Sequence, residues 1–279
     1  MLNGYQYAVL FGAAFIGGAI NAVAGGGTLV TFPTLISCGI PLTMANATST
    51  TALWPGQISS LWNYRDEMHD GKGTMLRLAV PSLFGGLLGA LLLVNTLESR
   101  FKAIVPYLIL TATLLFLFQE PLSRWQKRRL ERKKTEDDAP DTPAHPKGDP
   151  VFSSQNASLS AWFALLAFQF AVSVYGGYFG AGIGILQLAA FGLMGFTNIH
   201  RMNGFKNING LIINAIAIVI FAWKGLVDWK IALIMAVGAI LGGYLGAGTA
   251  KKVGQKNVRK IVIAIGFAMT LKMLWVCFI

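Results

Sequence analysis

Eight long apolar stretches divide the chain, at approximately 6–24, 47–63, 76–96, 103–119, 158–178, 207–223, 230–249 and 261–279. They run to 17–21 residues, about 25–32 Å as helix, which is enough to cross the hydrocarbon core of a bilayer. Two shorter stretches, 28–40 and 183–196, follow glycine clusters and reach only about 20 Å. They read as broken or irregular helices, which a membrane tolerates where protein or water satisfies their backbone. The pattern predicts an all-α membrane protein of about eight long and two short or broken transmembrane helices.

One region departs from this pattern. Residues 120–157 begin with Arg124-Trp125-Gln126-Lys127-Arg128-Arg129 and pass into an acidic, proline-rich stretch containing Asp137, Pro140, Pro143, Pro146 and Pro150. Such a segment buries too little apolar area to fold alone. It is expected to be a solvated cytoplasmic linker, helical at most at its start. It separates a first membrane repeat, 1–119, from a second, 158–279.

Composition agrees with a membrane reading. Of 279 residues, 54% are hydrophobic and 13% charged, against about 25% charged in an average soluble domain. The 32 glycines also fit, because glycine is commoner in membrane helices than in soluble ones. A net charge of +11 raises the question of nucleic acid. The basic residues sit in short loops between apolar runs, however, with no soluble domain to carry them, so no nucleic-acid partner is expected. The expected partners are the lipid bilayer and a small anionic substrate. Cys38 and Cys277 lie inside apolar runs and read as small buried hydrophobes. Met1 to Tyr7 carries no Lys or Arg, which makes a poor signal peptide, so the first apolar run is expected to remain as a span.

The halves resemble each other. Gly25-Gly26-Gly27 lies 155 residues before Gly180-Ala181-Gly182, and Gly85-Gly86-Leu87-Leu88-Gly89-Ala90 lies 157 before Gly242-Gly243-Tyr244-Leu245-Gly246-Ala247. Between them, Asn46-Ala47-Thr48-Ser49 takes the place of Met202-Asn203-Gly204-Phe205. A near-constant offset with the same order of elements indicates internal duplication.

Charge suggests the topology. If the basic linker is inside, the inside segments hold three basic residues in 65–77, eight in 120–157, Arg201 and Lys206, and five in 250–260, which makes 18 of the 23. The outside loops hold Arg100, Lys102, Lys224 and Lys230, and Lys272 lies within a helix. This asymmetry fits the positive-inside rule with five crossings per half and both termini outside. The two halves would then be inverted repeats, as in secondary transporters. Re-entrant short pieces would instead give four crossings per half and place the 250–260 residues outside.

In an inverted-repeat transporter the site lies near the midplane, at broken helices. The candidates there are Gly25, Gly26, Gly27 and Thr28 in the first half, and Gly180 and Gly182 in the second. A helix beginning after such a break presents free N–H groups and a positive dipole end, which suits an anion; alternatively the glycines only allow tight helix packing. Asn46, Thr48 and Ser49, with Asn203, Lys206 and Asn207, crowd polar groups before membrane helices. One residue suffices for an N-cap, so the others are read as lining the site. Lys206 is a counter-charge for an anion or else a snorkelling lysine. Gln187 is a further candidate donor, whereas Gln57, Gln169, Tyr175 and Tyr178 more often serve to join helices. The acidic residues Asp66, Glu67, Asp70, Glu98, Glu120 and Asp228 and the histidines His69, His145 and His200 all fall at loops, leaving no obvious intramembrane proton relay. No cofactor or metal site is expected.

From Gly17-Gly18-Ala19-Ile20-Asn21-Ala22-Val23-Ala24-Gly25-Gly26-Gly27-Thr28, through Phe32-Pro33-Thr34-Leu35, to Ala45-Asn46-Ala47-Thr48-Ser49, the chain resembles the sulfite exporter TauE/SafE family, also called the toluene sulfonate uptake permeases. The resemblance extends over nearly the whole chain. It implies a multi-pass protein of the prokaryotic inner membrane that moves sulfite, sulfonates, sulfoacetate or related organic anions. Arg201-Met202-Asn203-Gly204-Phe205-Lys206 departs from the more Ala/Thr-rich form expected at that position in the family. The expected function is therefore secondary transport of small organic or sulfur-containing anions by alternating access. The alternatives are a non-transporting receptor or scaffold and a membrane-embedded enzyme; GxSG and HExxH motifs are absent from the sequence.

Overall fold

A computed structural model describes residues 2–23, 25–61, 72–137, 159–193, 199–253 and 255–278. Among the described residues the chain is all helical. The helices are α1 (Gly4–Val23), α2 (Thr28–Ser37), α3 (Leu42–Leu61), α4 (Lys72–Val94), α5 (Glu98–Asp137), α6 (Leu159–Tyr178), α7 (Ile183–Leu193), α8 (Ile199–Trp223), α9 (Trp229–Val253) and α10 (Gln255–Phe278). The two short apolar stretches become α2 and α7, with 10 and 11 residues.

Among the described residues, three spans are long and apolar enough to cross a bilayer outright: Met75–Val94, Glu98–Phe118 and Arg201–Trp223. The distribution of side chains carries the same message. Phe163 (65%), Leu271 (68%) and Trp275 (69%) are largely exposed, while Thr31, Ser49, Gln169, Gln187 and Lys206 are buried. Apolar outside and polar inside is costly in water but favourable in lipid, where every buried polar group must find a partner within the protein. At the α8–α9 turn, Lys224 lies over the Trp223 ring, and nearby Lys230 lies over Tyr7. Aromatic and basic residues gather in this way at membrane–water interfaces.

Helix boundaries refine the sequence reading at three places. α5 does not stop at 119 but continues to Asp137, so the basic start of the linker extends an apolar helix. The proline-rich remainder, 138–157, and the 62–71 loop with Arg65, Asp66, Glu67, His69 and Asp70 lie outside the described residues. The basic 250–260 segment is mostly helical, divided between the end of α9 and the start of α10. Most consequentially, α3 and α8 begin at Leu42 and Ile199, several residues before their apolar runs. Asn46 and Asn203 therefore stand inside helices.

The α3 N-terminus is capped from elsewhere. Glu98, at the start of α5, accepts from the Leu42 amide (2.7 Å) and from both the amide and the hydroxyl of Thr43. Asp228 caps α9 by accepting from the Ile231 amide, and its own amide donates to Thr48 Oγ1 (3.1 Å). Capping thus does not account for the polar run Asn46–Thr51.

Packing interleaves the two ends of the chain. α1 lies along α9 and α6 along α4; α3 packs on α9 and α8 on α4; α3 meets α8, and α5 meets α10. The close approaches recur. Gly242 abuts the Phe15 carbonyl and Gly85 the Phe170 carbonyl, while Gly243 abuts Gly56 and Gly86 abuts Ile213. A Cβ at any of these four glycines would collide with its neighbour, so the glycines set how closely the helices lie.

Candidate functional site

The breaks before α2 and α7 meet in the interior. Gly25 and Gly180 have φ of 78° and 81°, left-handed values that side chains beyond glycine adopt at a cost, and each turns the chain from one helix into the next. Gly25 lies directly against Gly184. The Asn21 carboxamide fastens the first break by accepting from the Gly27 amide (2.7 Å). Tyr175 fastens the second through its hydroxyl, which donates to the Ala181 carbonyl (2.7 Å).

Between these breaks and the facing sides of α3 and α8 is a small cavity with about 30 Å³ open to a water-sized sphere. Asn21, Gly25 and Thr28 line it from the first break; Gly180, Ile183, Gly184 and Gln187 from the second; Thr50, Leu53 and Gln57 from α3; and Lys206, Asn207, Gly210 and Asn214 from α8. The first turns of both short helices border it; the amides of Leu29, Val30, Ile183 and Ile185 there donate to the carbonyls of Gly26, Gly27, Gly180 and Gly182, so these turns contribute the positive ends of the helix dipoles. No carboxylate lines it among the described residues.

Lys206 is 3% exposed, and its Nζ reaches one protein acceptor, the Asn21 carbonyl, at a long 3.4 Å. Asn207 Nδ2 donates to Ser60 Oγ (3.2 Å), and Asn214 Nδ2 donates to Gln57 Oε1 (3.2 Å). Gln187 is buried with both carboxamide atoms unpartnered. The arrangement offers an anion a cation, amide donors and two helix N-termini, in a setting where an uncompensated charge is expensive.

Of the residues expected from sequence, Gly25, Thr28, Gly180, Gln187, Lys206 and Asn207 converge on this cavity. The others surround it. Gly26 is packed on Phe116, Gly27 on Gly17, and Gly182 lies near Leu115 and Ala112. Ser49 is hydrogen-bonded to Thr31 (2.6 Å), which itself donates to the Gly27 carbonyl. Asn46 Nδ2 donates to the Tyr178 carbonyl (3.0 Å) at the end of α6. Thr48 holds Asp228, and Asn203 is buried on α8 away from the cavity wall.

The cavity also gathers Asn21, which the sequence reading did not place in the site, together with Thr50 and Asn214 from the polar runs read as lining and Gln57, weighed as a donor. Helical spacing was the available signal: 50, 53 and 57 share a face of α3, and 207, 210 and 214 share a face of α8. Gln169 instead joins Ser82 (2.9 Å) in a buried polar cluster between α4 and α6. Lys272 is exposed, Cys38 is half-buried, and His145 lies outside the described residues.

An all-helical chain with an apolar exterior, a polar interior and a central cavity between broken helices is an integral membrane protein of the transporter class. The chain belongs to the sulfite exporter TauE/SafE family, whose family model matches residues 10–273. Its relatives include a probable membrane transporter protein of Haemophilus influenzae, 29% identical over 96% of this chain and 94% of that protein. The probable membrane transporter protein ORF9 of a Sinorhizobium species is 27% identical over 96% and 92%. The probable membrane transporter protein YfcA of Escherichia coli K12 is 27% identical over 99% and 92%. No solved structure matches.

Proposed function

We propose that this protein is a secondary transporter of the bacterial inner membrane, a multi-pass permease that carries small organic or sulfur-containing anions such as sulfite, sulfonates or sulfoacetate by alternating access. One observation carries the reading. Lys206 stands buried on the wall of a central cavity with no carboxylate beside it and one distant carbonyl as its protein acceptor. A buried ammonium needs a counter-ion, and a bound anion supplies one.

The alternating-access part of the proposal rests on two inverted halves, α1–α5 and α6–α10. Two hydrogen bonds between α3 and α8 support a two-fold relation, Trp54 to Leu211 and Asn214 to Gln57; in each the residues are 157 apart. That is also the offset of the Gly85 and Gly242 motifs. Residues beside a two-fold axis meet their own counterparts, which accounts for the repeated separation. The matching contacts of Gly85 with Phe170 and of Gly242 with Phe15, and of Gly86 with Ile213 and of Gly243 with Gly56, point the same way. Inversion is inferred from five crossings per half and from the charge distribution. On this pairing the bodies that rock are composite: α1 and α3 with α9, against α6 and α8 with α4.

Flux of labelled anions into proteoliposomes tests the reading. Wild-type protein is expected to take up at least one member of a panel of sulfite, sulfoacetate, short sulfonates and short carboxylates. Lys206→Ala should lose that uptake while keeping its thermal unfolding in detergent. Equal flux in the variant would remove Lys206 from the site.

A further inference from the structure

Gln187 lies one turn after Ile183 on α7, with both residues on the cavity wall. Its side chain is 0% exposed, yet neither Nε2 nor Oε1 has a hydrogen-bond partner. Buried carboxamides are nearly always satisfied. The other amides of the wall conform: Asn21 accepts from Gly27, Asn207 donates to Ser60, and Asn214 donates to Gln57.

The remainder of the site favours negative charge, through the donor hydrogens of Lys206 and the dipole ends of α2 and α7. A bare anion matches those donors and Gln187 Nε2, but it repels Oε1, which can only accept. A ligand that has an anionic oxygen and a donor of its own satisfies both atoms together. We propose that the cavity selects small oxyanions bearing an O–H or N–H group, and that Gln187 reads that group through Oε1 while Nε2 holds an anionic oxygen. The proposal rests on the transport reading and adds the substrate class to it. An isostere lacking the donor leaves Oε1 buried and unpaired, which corresponds to roughly 10- to 100-fold weaker handling.

Matched pairs of equal charge and size make the test: 2-hydroxyethanesulfonate against propane-1-sulfonate, and glycolate against propanoate, in proteoliposomes holding the full chain. In wild type the hydroxylated member of a pair should be transported at least about tenfold more efficiently. Gln187→Leu should bring the ratio to within about twofold, whereas Lys206→Ala should depress both members of each pair. The wild-type ratio stands as a test whether or not the leucine variant folds. A hydroxylated member that is not favoured, including the case where neither member is carried, overturns the proposal. So does a ratio that Gln187→Leu leaves unchanged. Both results leave anion transport itself intact wherever sulfite or sulfoacetate is still moved. Absence of flux for every anion is instead the failure of the transport reading.

Discussion

The facing sides of α3 and α8 do different jobs from related positions. Under the proposed offset of 157, Ser49, Thr50, Leu53 and Gln57 correspond to Lys206, Asn207, Gly210 and Asn214. On α3, Ser49 is spent on Thr31 and so braces α2. On α8 the equivalent position carries a lysine aimed into the cavity, with a single long contact to the Asn21 carbonyl. Leu53 on the wall corresponds to Gly210, whose open face lies against Gln57 of α3. On the proposed pairing the site is asymmetric: α3 contributes internal bracing and α8 contributes charge and space.

The sharpest way to break that comparison is to make α8 resemble α3. Lys206→Ser should reduce anion flux by about 100-fold or more, since losing a charged partner of a desolvated ligand costs on the order of 3 kcal/mol. Thermal unfolding of the variant should be close to wild type, because no carboxylate is orphaned by the change. Flux within tenfold of wild type would mean that α8 does not carry the charge of the site. The reciprocal change, Ser49→Ala, removes the partner of the buried Thr31 hydroxyl. It should lower stability by about 1 kcal/mol, read as a fall of a few degrees in the unfolding midpoint, with flux changed by no more than about twofold. A flux loss matching that of Lys206→Ser would place Ser49 in the site after all.

Much of this difference was legible in the sequence. Apolar run length gave the long helices, and the triplet glycines marked the breaks before α2 and α7, because backbone geometry at Gly25 and Gly180 has few other solutions. Lys206 and Gln187 stood out as polar groups within apolar surroundings. What the sequence left hidden was direction. Asn46, Thr48, Ser49 and Lys206 read as one polar cluster, but a helix sends neighbouring residues to different faces. Three of these four hold neighbouring segments in place: Tyr178, Asp228 and Thr31. Glu98 was hidden for another reason. Its role as the cap of α3 bridges 56 residues of chain, and no local pattern announces so distant a partner. On the proposed offset of 157, taken from the hydrogen bonds across the centre, Asn46 pairs with Asn203 rather than Met202.

The smallest expected effect tests the axis itself. Gln57 and Asn214 face each other across the α3–α8 contact, with Asn214 Nδ2 donating to Gln57 Oε1 at 3.2 Å. If they are counterparts beside a two-fold axis, their bond belongs to the hinge between the rocking bodies as well as to the cavity wall. Gln57→Leu, Asn214→Leu and the double variant form a cycle that isolates this pair. Hydrogen bonds between membrane helices average about 0.6 kcal/mol in such cycles. The unfolding free energies should therefore show a coupling of about 0.6–1.5 kcal/mol, with the double variant less damaged than the sum of the singles. Flux should follow the same non-additive pattern, because each single change leaves one polar group facing an apolar side chain at the point where the helices pivot. Additive effects within about 0.3 kcal/mol would mean that the bond is not formed in the membrane, and the hydrogen bonding between α3 and α8 would then rest on Trp54 with Leu211 and Asn207 with Ser60.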